Sequence, residues 1–154
     1  MKSPDLQRGE VFEHETAAKL KLLGWAVAQY GVGRFDADER IAAGLHAVES
    51  PLMCSPDLLI VRGTDVRFVE CKSPTHSVHV FAAIEAADLR ASYRWRNLHP
   101  LYIVWRGLGV IDSVDAVAHA RPGPQAKGGT DRWSGLPYVV LEQRWLRDFE
   151  DVFG

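Results

Sequence analysis

The fold of this chain is decided by one stretch, Ser55-Pro-Asp-Leu-Leu-Ile-Val-Arg-Gly-Thr-Asp-Val-Arg-Phe-Val-Glu-Cys-Lys-Ser73. Two apolar runs rich in β-branched residues, 57–61 and 66–72, lie on either side of a short polar segment that contains Gly63 and Thr64. Runs of this length, bounded by turn residues, predict β-strands. A glycine at the first central position is typical of a two-residue type II′ turn, so we predict an antiparallel hairpin.

Counting outward from this turn places Asp57 directly opposite Glu70, with their Cβ atoms roughly 4.5–5.5 Å apart. Lys72 projects from the same face of its strand as Glu70, because side chains alternate along a strand. Two carboxylates held this close repel each other unless a cation lies between them, and oxygen-only ligation suits Mg²⁺ or Mn²⁺. The alternative interpretation is a surface hairpin with an exposed charged face.

The chemistry that fits a metal ion at this hairpin is phosphodiester hydrolysis. The ion would polarise a phosphoryl oxygen and lower the pKa of a bound water. Lys72 would orient that water or stabilise charge on the transition state. The strands that carry these charges are otherwise apolar. Charged residues at the ends of such strands therefore favour a metal site over a solvated surface pair.

A second acid is predicted to lie near the hairpin from the N-terminal segment. Residues 5–23 are predicted to form a helix that ends at Gly24. At about 100° per residue, Glu13 falls within the apolar arc of this helix, beside Leu20. A carboxylate on the core-facing side is costly unless it is paired, protonated or close to a metal. Glu13 therefore either pairs with an arginine or lysine, or serves as a third acid that meets the metal directly or through water.

The remaining segments predict an α/β domain with a mixed central sheet. The further predicted elements are a strand at 26–30, a helix at 36–47, a helix at 78–96, a strand at 101–105, a strand at 137–141 and a helix at 143–153. We predict one domain over residues 1–154, with a core at about 5–106, a Gly/Pro-rich loop at about 119–136 and a strand-helix appendix at 137–154.

Composition limits the class of protein. The 154 residues are 47% hydrophobic and 25% charged, with a net charge of −2, values typical of a globular domain and not of a disordered or fibrous chain. Two cysteines, with no CxxC or Cys/His cluster, argue against structural zinc and a disulfide framework. No apolar run reaches the roughly 18 residues of a membrane span, and the N-terminus lacks the apolar region of a secretory signal. We therefore expect a cytoplasmic protein.

Positive charge is concentrated in residues 89–111, which contain four arginines and no acid. This segment either contacts nucleic-acid phosphates or is a solvated helix face. Tyr93 and Trp95 lie between the arginines, where they would stack on bases, although Trp95 equally fits the core. The candidate DNA-binding residues, including three that follow the hairpin, are Ser73, His76, His79, Arg90, Arg94 and Arg96.

A family resemblance supports these interpretations. Pro56 and Asp57, followed after twelve residues by Glu70-Cys71-Lys72, resemble the signature of the PD-(D/E)XK nuclease superfamily, the restriction-endonuclease-like fold. The αβββαβ core of that superfamily matches the predicted element order. With Gly9 and Glu13 in the first helix, the chain is most similar to small archaeal-type Holliday junction resolvases and related phage or bacterial endonucleases, over roughly residues 8–106.

The resemblance implies a role for each matching residue. Asp57, Glu70 and the backbone carbonyl of Cys71 would bind Mg²⁺ (or Mn²⁺), Lys72 would be the catalytic lysine, and Glu13 would be the helix-borne acid. The implied activity is a metal-dependent DNA endonuclease that acts on duplex or branched DNA as a homodimer, with no membrane partner.

Two departures from the family pattern narrow this expectation. Residues 31–56 are longer than the corresponding connection in the resolvases, so junction selectivity is one option beside repair, restriction or phage DNA processing. The helix after the motif carries Asp88, Arg90 and Tyr93 where exonuclease-like relatives carry a glutamine, which favours endonuclease action. The remaining alternative is a DNA-binding module without turnover.

Overall fold

The structure, a computed structural model, describes residues 4–30, 39–48, 55–73, 81–123 and 138–154. Its helices and strands in chain order are α1 (Pro4–Leu22), β1 (Ala26–Gln29), α2 (Glu39–Ala47), β2 (Leu58–Arg62), β3 (Asp65–Lys72), β4 (Phe81–Glu85), α3 (Ala86–Trp95), β5 (Leu101–Trp105), β6 (Gly109–Asp112), α4 (Ser113–His119), β7 (Arg121–Pro122), β8 (Tyr138–Glu142), a 3₁₀ helix (Gln143–Trp145) and α5 (Phe149–Phe153).

A five-stranded mixed sheet forms the centre of the fold. Its strand order is β1-β2-β3-β5-β6, and every neighbouring pair is antiparallel except β3 and β5, which are parallel. A second sheet of three antiparallel strands has the order β4-β8-β7. The predicted αβββαβ order is present as α1, β1, β2, β3, α3 and β5, with α2 and β4 as additional elements.

The helix α1 ends where the glycine was predicted to end it. Gly24 adopts a φ of 89°, a left-handed conformation that glycine reaches without a steric penalty. The N–H of Trp25 then donates to the carbonyl of Leu20 at 3.0 Å, which gives this carbonyl of the last helical turn a hydrogen-bond partner. This turn brings the chain directly into β1 and positions α1 across the central sheet.

Two hydrophobic clusters lie on opposite faces of the central sheet because side chains alternate along each strand. In β3, Val69 belongs to one cluster with residues of α1 and α5, while Phe68 belongs to the other with residues of α3, α4 and the second sheet. Trp95 is 6% exposed and packs edge-on against Phe68 and Tyr30. Trp95 is therefore a core residue, and base stacking is excluded for it.

The predicted helix at 78–96 is wrong in its first part. Phe81–Glu85 forms the strand β4, and the helix begins only at Ala86. Ala82 and Ile84 are 0% and 1% exposed, and β4 pairs along its whole length with β8. Burial against this distant strand overrides the local helix preference of an alanine-rich segment. Residues 78–80 lie outside the described residues.

The predicted single helix at 143–153 is also wrong, because it is divided into the 3₁₀ helix and α5. Between them, Arg147 pairs with Val110 of β6 through two backbone hydrogen bonds of 2.9 and 2.8 Å. An extended residue in this pairing cannot continue a helix. The strand predicted at 137–141 is observed at Tyr138–Glu142, and the helix predicted at 36–47 is observed at Glu39–Ala47. Residues 36–38 and Pro137 lie outside the described ranges.

Within those ranges, no helix combines the length and the apolar character needed to cross a lipid bilayer.

Candidate active site

The hairpin of β2 and β3 places two acids opposite each other at one end of the central sheet. Gly63 in its turn has a φ of 63°, and the pairs Arg62↔Asp65 and Leu58↔Val69 set the register. The same register continues outward to Asp57 and Glu70. The register predicted from the two-residue turn is therefore confirmed.

Asp57 is anchored to the end of β3 by a backbone hydrogen bond. The N–H of Cys71 donates to Oδ2 of Asp57 at 2.7 Å, and the N–H of Tyr30 donates to the carbonyl of Asp57 at 2.8 Å. Burial and the charge of Glu13 raise the pKa of Asp57 to about 7, although the Cys71 hydrogen bond acts to lower it. Asp57 is thus a fixed carboxylate in a place where its negative charge is poorly compensated.

Glu13 of α1 reaches the same position from the helix above the sheet. Its side chain is half-buried and shares a hydrogen bond with Asp57. Burial, together with the charges of Glu70 and Glu10, raises the pKa of Glu13. The structure places Glu13 against Asp57, and its role toward a metal ion stays a prediction.

Glu70 and Lys72 project from the same face of β3 and form an ion pair. Lys72 Nζ lies 3.0 Å from Oε1 of Glu70, and the two side chains are 22% and 15% exposed. Burial and the charge of Asp57 raise the pKa of Glu70 to about 8. Burial acts to lower the pKa of Lys72, but the surrounding carboxylates outweigh this effect and raise it above its usual value. Lys72 is therefore a fully charged ammonium group within a cluster of acids.

Asp88 completes the cluster, and sequence analysis assigned it no role. Its Oδ2 accepts a hydrogen bond from Lys72 Nζ at 2.7 Å, and it lies in the first turn of α3. Lys72 is thus held between Glu70 on its own strand and Asp88 on the helix. The available sequence signal was the position of Asp88 in the helix after the motif, in the region where exonuclease-like relatives are expected to carry a glutamine.

Cys71 contributes its backbone to the site, while its side chain belongs to the other face of the sheet. The side chain packs against the hydrophobic cluster of α1 and hydrogen-bonds Thr16. Burial and the nearby charges of Asp57 and Glu70 raise the pKa of the thiol well above its usual value. The thiol is therefore kept neutral, and any part that Cys71 takes in ligation falls to its carbonyl group.

The donor set fits a hard divalent cation. Within the part of the chain that the structure describes, no group of three or more His, Cys, Asp or Glu side chains is arranged to hold a metal ion. Mg²⁺, however, typically uses one or two protein carboxylates and completes its shell with water and substrate phosphate. Asp57 and Glu70 supply two such carboxylates. Burial and then neighbouring negative charge raise their pKa values, and a cation would neutralise that charge.

As the pH rises from 5 to 9, we expect the melting temperature of the metal-free Glu70→Gln variant to fall less than that of wild type. A carboxyl group whose pKa is raised on folding stabilises the protein below its unfolded pKa and loses that contribution as the pH passes the folded pKa. Glu70 therefore weakens the metal-free protein between about pH 4.5 and 8. In EDTA, the difference in melting temperature, Glu70→Gln minus wild type, should become more positive by at least about 3 °C between pH 5 and pH 9.

The matched control for this measurement is Asp65→Asn at the other end of the same hairpin. Asp65 pairs with Arg67 at 2.7 Å, and the hydrogen bond from Arg67 lowers its pKa, so the variant should gain no stability with rising pH. The prediction would be contradicted if the melting temperature of Glu70→Gln minus that of wild type stayed constant or became more negative as the pH rises.

The candidate DNA-binding residues are only partly placed. Arg90 and Arg94 are exposed on α3, and Arg96 at its end stacks on the ring of Tyr93 at 4.0 Å from the centroid. Ser73 follows Lys72 directly and is half-buried. The remaining candidates, His76 and His79, lie outside the described residues.

Comparison with known proteins identifies the fold. No protein-family model matches the chain, and no curated protein does either. Among solved structures, the chain is similar to Hjc of Archaeoglobus fulgidus, a Holliday junction resolvase from an archaeal hyperthermophile. The similarity has a TM-score of 0.57, covers 96% of each chain and occurs at 10% sequence identity. The two chains share a fold, and the predicted restriction-endonuclease-like α/β fold is confirmed.

Proposed function

We propose that this protein is a divalent-metal-dependent endonuclease that hydrolyses phosphodiester bonds in DNA. The observation that carries the proposal is the meeting of Asp57, Glu70 and Lys72 at one end of the β2–β3 hairpin, where two half-buried acids face each other beside a charged ammonium group. The fold shared with a Holliday junction resolvase supports the same activity.

In this proposal each residue of the site has a distinct task. Asp57, Glu70 and the Cys71 carbonyl would hold Mg²⁺ or Mn²⁺, which when bound polarises a phosphoryl oxygen and activates water. Glu13 lies against Asp57 and would meet the metal through water. Lys72 carries a positive charge that stabilises the negative charge developing on the phosphoryl group.

We further propose that the substrate is branched DNA and that the active form is a homodimer. One solved structure of similar fold is a resolvase of Holliday junctions, and this fold similarity extends over 96% of the chain. Resolving a four-way junction requires cuts in two strands, and two copies of the chain would supply the two sites. A role in repair, restriction or phage DNA processing would instead show itself as a preference for duplex or flap DNA.

The deciding experiment incubates the purified protein with labelled linear duplex, single-stranded, flap and four-way junction DNA, in Mg²⁺, Mn²⁺ or EDTA. We expect cutting that requires the metal and is fastest on the junction. Asp57→Asn, purified in the same way, should show no cutting, which excludes a contaminating nuclease. Failure to cut any substrate, or cutting that persists in EDTA, would overturn the proposal and favour a DNA-binding module without turnover.

A further inference from the structure

A second cation lies at the same edge of the sheet as the acid cluster. Arg106 directly follows β5, which runs parallel to β3 with Lys72 paired to Trp105. The N–H of Arg106 donates to the carbonyl of Lys72 at 2.9 Å, so its backbone is fixed to the C-terminal end of β3. The side chain of Arg106 thus starts beside the site and belongs to none of the contacts described above.

Among the residues that the structure describes, the partner of the Arg106 guanidinium is Glu15, and this pair is loosely held. Nη2 of Arg106 lies 3.6 Å from Oε1 of Glu15 on α1, and the two side chains are 48% and 51% exposed. Ion pairs of this length and exposure contribute little to stability, because water competes for both charges. Arg106 can therefore leave Glu15 at small cost when a stronger anion approaches.

The charge balance of the site calls for such a cation. Lys72 is occupied by Glu70 and Asp88 at 3.0 and 2.7 Å, and two further carboxylates, those of Glu13 and Asp57, lie in the same cluster. When these acids are ionised, a DNA phosphate approaching the cluster would meet excess negative charge. A guanidinium group at the rim, with its planar set of donors, binds a phosphate through two parallel hydrogen bonds.

We propose that Arg106 binds a backbone phosphate of the nucleic acid and that Glu15 holds it in the free protein. On binding, the guanidinium exchanges the Glu15 carboxylate for the phosphate, while the backbone hydrogen bond to Lys72 keeps Arg106 beside the site. The identity of the ligand as DNA rests on the proposed function, whereas the exchange itself rests on the geometry of Arg106 and Glu15.

The test measures equilibrium binding of fluorescent junction and duplex DNA in EDTA over a series of salt concentrations, so that cleavage plays no part. We expect Arg106→Ala to weaken binding about tenfold, as for the loss of a charged hydrogen bond. The slope of log affinity against log salt should become shallower by about 0.9, which corresponds to one phosphate contact. Glu15→Gln should tighten binding about two- to fivefold, because the competing charge is gone.

The double variant separates exchange from a general charge effect. If Glu15 acts by holding Arg106, Glu15→Gln should have no effect in the Arg106→Ala background. Arg144→Ala is the matched control, because Arg144 is an exposed arginine that pairs with Glu142 beside the second sheet. Arg144→Ala should leave both the affinity for DNA and the salt slope unchanged. Thermal melts of all variants establish that each one is folded.

The outcomes distinguish this inference from the proposed function. If Arg106→Ala binds with the affinity and salt slope of wild type, the inference is overturned even if the protein cuts DNA. Arg106 and Glu15 would then form only a surface ion pair. Weakened binding in Arg106→Ala with no cutting by wild type would support the inference and overturn the nuclease. Equal effects of Glu15→Gln in both backgrounds would overturn the exchange.

Discussion

The Lys72→Met variant is expected to cleave DNA about 10²–10³-fold more slowly than wild type while binding it with similar affinity. Methionine retains the length of the side chain but removes the ammonium group that Glu70 and Asp88 hold at 3.0 and 2.7 Å. A charge that is oriented before the reaction stabilises the transition state more than the bound substrate, and loss of one such donor typically costs this factor. The rate constant should be measured in single turnovers with saturating enzyme and Mg²⁺.

Two further variants test whether the position of the ammonium group matters as well as its charge. Asp88→Asn keeps an acceptor for Lys72 but removes one carboxylate, so we expect a smaller loss of rate than in Lys72→Met. Lys72→Arg keeps the charge in a larger, planar group and should recover only part of the rate. Cleavage by Lys72→Met at the wild-type rate, in a folded protein, would show that Lys72 is not catalytic.

The Trp25→Ala variant is expected to lose about 3–5 kcal/mol of unfolding free energy, as for other buried tryptophans. Trp25 is 3% exposed and its Nε1 donates to the carbonyl of Phe153 at 2.8 Å, which connects β1 to the C-terminal helix α5. The guanidinium groups of Arg62 and Arg67 lie over its ring at 4.4 and 4.9 Å from the centroid. Truncation would remove the ring on which both arginines stack and leave a cavity.

Urea denaturation followed by circular dichroism measures this loss. Trp25→Phe retains an aromatic ring but no donor, so it should fall between wild type and Trp25→Ala. Leu22→Ala is the surface control, because Leu22 is 87% exposed and its truncation should change stability by less than about 0.5 kcal/mol. A loss below about 1 kcal/mol in Trp25→Ala would mean that α5 is not anchored through this residue.

Sequence alone determined the parts of the site that depend on local geometry. A two-residue turn and the alternation of side chains are enough to place Asp57 opposite Glu70 and Lys72 on the same face, and the structure has this register. The helical repeat similarly placed Glu13 on the inner side of α1. These relations were predictable because each follows from the period of a single element or from the turn that joins two neighbouring strands.

Tertiary structure decided the relations that join distant segments. Phe81–Glu85 is a strand because β8 pairs with it, although its alanines alone favour a helix. The contact of Asp88 with Lys72 depends on how α3 packs, and the pairing of Arg106 with Glu15 depends on the parallel alignment of β3 and β5 beneath α1. No local period encodes these distances, because they arise only when burial of the two hydrophobic clusters brings separate elements together.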